Sequence, residues 1–242
     1  ETLDIIKNLI IRNLRQEAEK QEVFDRFDEL RNLNSSVTSK YGEKLFTIAI
    51  QIMNGELTRK PELPKHFSEA IIHQDNTYER CMEFFQKVEQ LNGFMCDISG
   101  DYFGCLFNKQ LKISWEGYKW ALLPIALCKG EINSELVSIF VKFSVRYIPF
   151  KTKKTFNPMA VSNRFLEISN EVLREPEYDY LNAFKTFLND KVDPQVNPNN
   201  FIETVCQRVL TNDEAKSLLA FIECYECKQH DIPVADTQTL SL

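Results

Sequence analysis

Few residues in this sequence have types and spacings that perform chemistry. Cys224-Tyr225-Glu226-Cys227, with His230 three residues on, is the single arrangement with metal-ligand or redox spacing. A structural zinc site takes four ligands, and no second cysteine or histidine pair stands at a matching distance. Redox pairs of this spacing open a helix beside a parallel sheet, whereas this pair closes a helical pattern and reads as two ordinary thiols. The three histidines, His66, His73 and His230, leave little for acid–base work. Arg59 precedes His66 by seven residues and lacks the Arg-then-His spacing of helical ribonucleases. Neither a Gly-x-Ser-x-Gly elbow nor a phosphate loop ending in Gly-Lys-Ser/Thr occurs. Acids such as Asp25 with Asp28 and Glu29, or Glu175 with Glu177, sit among cations as on solvated helix faces. No catalytic residue, metal ligand or cofactor is expected within this chain.

The sharpest charge signal is positive. Between Glu135 and Glu167 there is no acidic residue, while Lys142, Arg146, Lys151, Lys153, Lys154 and Arg164 fall inside. The chain carries a formal charge of −6, so everything outside this segment carries −12. Two readings stand: a solvated connector, or an edge where Arg146, Lys151, Lys153 and Lys154 displace counterions from a nucleic-acid backbone.

The elements that must position these residues are helical. Both tryptophans lie in Ser114 to Trp120, followed by the apolar block Ala121 to Cys128 and a turn at Lys129-Gly130. Beyond it Leu136, Ile139, Phe140, Phe143 and Tyr147 recur at steps of three and four, the period of a helix with one buried face. The short turn predicts an antiparallel pair at the centre of the core. Upstream, Leu3 to Asn32 is one long helix with a solvated middle or two helices with a bend, carrying Ile6, Ile10, Leu14, Phe24, Phe27 and Leu30. Tyr41 to Met53 is a further helix, and Asn76-Thr77-Tyr78-Glu79 caps another that Asn92-Gly93 is expected to stop. Downstream, helical spacing covers Met159 to Leu173, Tyr178 to Leu188 and Phe201 to Leu210. A last helix opens at Thr211-Asn212-Asp213-Glu214. Phe150 to Pro158 and Asp193 to Pro198 read as loops.

The prolines at Pro61 and Pro64 suggest a division into an N-terminal helical unit, 1–60, and a main domain, 65–228, with a loosely held tail at 229–242. With 18 Phe and 8 Tyr against 7 Gly and 9 Pro in 242 residues, the composition favours long elements over a turn-rich sandwich. The expected fold is an all-α bundle of about nine or ten helices. A pI near 5.3 argues against a globally basic nucleic-acid binder. No apolar run reaches the roughly 20 residues that span a bilayer, so no membrane partner is expected. Seven scattered cysteines suggest reduced thiols and a cytoplasmic protein. The start, Glu1-Thr2-Leu3, suggests a piece of something longer.

The order of features resembles a known family. Trp120-Ala121-Leu122-Leu123-Pro124-Ile125, a helix ending in Arg146-Tyr147, an Asn-bearing loop and helix at Asn157 to Ile168, Phe201, and Leu218-Leu219-Ala220-Phe221-Ile222-Glu223 are similar to the central helical region of GmrSD-type proteins. Those are bacterial modification-dependent restriction and anti-phage enzymes joining a ParB-like nucleotide-hydrolysing domain to a His-Asn-His nuclease. The likeness covers about residues 76–242, and Thr237 to Leu242 resembles the lead into the family's Glu-His-Ile motif. The Asp-Gly-Gln-Gln-Arg and His-Asn-His motifs are absent, so no catalytic residue carries over. The resemblance implies a helical middle module that positions a nuclease and touches DNA; a protein-interaction scaffold is the alternative.

Overall fold

The structure, a computed structural model, describes residues 2–31, 38–56, 58, 60–100, 118–147, 158–192, 198–207 and 210–230. Among them the fold is all-α, with eleven α-helices and no strand. The contacts gather the chain into two compact units, Glu1–Cys96 and Asp97–Leu242.

In the first unit α1 (Thr2–Asn13) and α2 (Glu17–Arg31) are separate helices, resolving the two readings of the N-terminal stretch in favour of a break. Ile6, Ile10 and Leu14 are buried at intervals of four, as the sequence predicts, and Val23 and Phe27 answer them from α2. Phe24 does not join that core. It is 41% exposed, and the Lys7 ammonium covers its ring at 3.2 Å while pairing with Asp28. α3 (Thr38–Asn54) ends at Gly55, whose φ of 68° is the left-handed turn that glycine adopts without strain.

The Pro61-Pro64 stretch is not a boundary. A single 3₁₀ turn, Lys60–Glu62, leads into α4 (Leu63–Phe67), with Pro64 in the first turn, where its missing N–H costs nothing. A π-helical turn, Ser68–Ile72, continues it. Leu63, Phe67, Ala70 and Ile71 are all buried, and both α4 and the π-helical turn pack on α1 and α3. That burial ties 60–72 to the first unit, and the compact units divide at 96/97 instead of near 60–65.

α5 (Thr77–Gly100) runs past Asn92-Gly93, where the sequence predicts a stop. Its buried stripe explains why: Cys81, Phe84, Phe85, Val88 and Leu91 are followed at the same spacing by Met95 and Ile98. Burial along that stripe outweighs the cost of one helical glycine. Rings of α2, α3, α4 and α5 meet edge to face, Phe27 on Phe85 at 5.0 Å, Phe46 on Phe84 at 5.2 Å and Phe67 on Phe84 at 5.1 Å.

In the second unit a π-helical turn, Tyr118–Leu122, opens into α6 (Leu123–Lys129), which Gly130 closes with φ 77° and a bond from its N–H to the Ala126 carbonyl at 2.8 Å. The turn at Lys129-Gly130 is thus where the sequence places it. α7 (Ser134–Tyr147) starts on the Asn133 side chain, which accepts from the Leu136 N–H at 3.0 Å. There follow α8 (Pro158–Arg174), α9 (Tyr180–Phe187) with a π-helical turn Leu188–Val192, α10 (Pro198–Gln207) and α11 (Asn212–Gln229).

α6 and α7 do not form the expected central pair. The Trp120 turn and α6 pack chiefly on α8, and α7 packs on α9 and α11. α8 is the element both share. Its Ser169 hydroxyl lies 2.7 Å from the Trp120 carbonyl, and its Phe165 meets Phe140 of α7 at 5.1 Å. Phe165 also touches Phe143, Phe184 and Phe187, with centroids 5.5, 5.3 and 6.1 Å away. Phe140 is buried as predicted, at the edge of a cluster centred on Phe165.

Candidate nucleic-acid interface

The basic segment bridges two helices that the phenylalanine cluster fixes. α7 buries Leu136, Val137, Phe140, Val141 and Phe143, and α8 buries Phe165, Leu166, Ile168 and Val172. The chain between the two helices is positively charged in sequence, and its residues 148–157 lie outside the described residues. Of the four residues assigned to a phosphate-contacting edge, Arg146 stands one residue before the end of α7. Lys151, Lys153 and Lys154 lie outside the described residues. A cation near a helix C-terminus is also favoured by the helix dipole, which accounts for Arg146 on structural grounds alone.

The two other cations of the segment differ. Arg164 donates to Glu167 one turn further along α8 at 2.8 Å, so its charge is already answered. Lys142 is exposed on α7 and makes no ion pair among the described residues.

His66 and His73 lie in the first unit, and the Cys224 side chain lies outside the described residues. His66 is buried in the first unit with its Nδ1 2.9 Å from the Thr58 hydroxyl, and the Asn54 side chain donates to its carbonyl. His73 closes the π-helical turn that ends at Ile72. His230, one residue past the end of α11, is exposed and faces Glu226 at 3.7 Å. Among the described residues no group of three or more His, Cys, Asp or Glu side chains is arranged to hold a metal ion. Burial pushes the Cys81 thiol far up, which leaves it protonated and inert.

One feature escapes sequence reading. The break between α1 and α2 and the connector before α5 enclose an open polar cleft of about 480 Å³, lined by Asn13, Arg15, Glu19, Asp75, Asn76 and Glu79 among others. At its rim the Tyr78 hydroxyl donates to Glu22 at 2.5 Å. That bond first, then partial burial and the charges of Glu22, Glu19 and Glu79, hold the Tyr78 phenol above its ordinary range. Carboxylates outnumber the single arginine among its lining residues, a charge balance that disfavours a phosphate there. The turn-rich Gln74-Asp75-Asn76 marks its edge in sequence, but nothing local shows that Arg15 and Glu19 face it.

No helix among the described residues is long and apolar enough to cross a membrane. Comparison with protein families, curated proteins and solved structures finds no match to this chain.

Proposed function

We propose that this chain is a non-catalytic helical module of a cytoplasmic, bacterial, modification-dependent DNA restriction or defence endonuclease. It positions a nuclease domain and contacts the DNA backbone through Arg146, Lys151, Lys153 and Lys154. The reading rests on the family resemblance of residues 76–242, and the observation that carries it is the acid-free run of positive charge between Glu135 and Glu167 in a chain of net −6. Phe140 of α7 and Phe165 of α8 meet at 5.1 Å, so the two helices within that run pack on each other. Ammonium and guanidinium groups so placed displace counterions from phosphates without reading sequence.

The test is a salt titration of duplex DNA binding. The log–log slope is shallower by roughly 0.9 for each phosphate left unneutralised, so replacing Lys151, Lys153 and Lys154 together by Gln is expected to flatten it by about two to three. Equal slopes for the two proteins, or no binding by the wild-type chain at low salt, would defeat the reading.

A second reading, a helical protein-interaction scaffold, is favoured by one observation. Ile202 of α10 and Leu219, Ile222 and Tyr225 of α11 are exposed at 62, 42, 55 and 49%, so the last two described helices carry large apolar side chains at the surface. Failure of the salt titration leaves the scaffold as the standing reading.

A further inference from the structure

We draw no further inference here: the strongest candidate, the open polar cleft between the α1–α2 break and the start of α5, is lined by carboxylates and one arginine beside a helix N-terminus, and none of its polar lining side chains is a buried group left without a partner that would point to a ligand.

Discussion

The Ser169 hydroxyl lies 2.7 Å from the Trp120 carbonyl, and that carbonyl is the one whose usual α-helical donor Pro124 removes. The same hydroxyl lies 3.0 Å from the Phe165 carbonyl, so one proton serves two acceptors in a buried site. Ser169→Ala takes the side-chain donor from a buried carbonyl and is expected to cost about 1 to 3 kcal/mol in chemical denaturation. In a Pro124→Ala background, where the N–H at 124 returns, the same change is expected to cost less. Equal costs in both backgrounds would show that the proline and the serine are not coupled.

Phe165 meets four other rings, whereas Phe187 meets it from a half-exposed position. Truncation of Phe165 or Phe140 to Ala is expected to cost about 3 to 5 kcal/mol, with Phe165 at the upper end and Phe187 well below both. Denaturant midpoints of the three variants give the order. A Phe187→Ala destabilisation equal to that of Phe165→Ala would remove Phe165 from the centre of the cluster.

Gly93 lies inside α5, and a Cβ built on it meets no atom within 4 Å. Gly93→Ala is therefore expected to stabilise the chain by about 0.5 to 1 kcal/mol, by lowering the entropy of the unfolded chain without a clash. A lower melting temperature would show that the glycine serves a contact the helix does not reveal.

The Tyr78 phenol gives a pH signature. Its ionisation is raised above the ordinary value of 10.0, first by the bond to Glu22. A group raised in the folded state contributes its stability fully below the unfolded value, and that contribution disappears as pH climbs through the folded one. The Tyr78–Glu22 bond thus holds through neutral pH and gives way only above about pH 10. Spectrophotometric titration, with Tyr78→Phe identifying the residue's own signal, is expected to show Tyr78 ionising earlier in Glu22→Gln. No movement would mean that the bond does not govern the phenol.

Regular periodicity made most of this fold legible. Ile6, Ile10, Leu14, Leu136, Phe140 and Phe165 announce buried faces through spacing, and all are buried. What local signals missed depends on partners distant in the chain. Pro61 and Pro64 punctuate the sequence, yet they begin helical turns because the residues after them find α1 and α3 to pack on. Gly93 has the composition of a stop and is overruled by Met95 two residues later. The contact of the Trp120 turn with α8 includes Ser169, a residue type with no periodic signature. Of the candidate interface, the charge pattern was visible in sequence. The difference between Lys142 and Arg164 was not, since it depends on exposure and on which cation Glu167 reaches.

The rings that close the second unit, Phe140, Phe143, Phe165, Phe184 and Phe187, come from three helices that follow one another along the chain. Their contacts close short loops, and short loops cost little entropy to form. The cluster is thus suited to be a kinetic nucleus as well as a thermodynamic anchor. In refolding experiments Phe165→Ala should slow folding more than it hastens unfolding, whereas truncation at Phe84 in the first unit should leave that folding phase untouched.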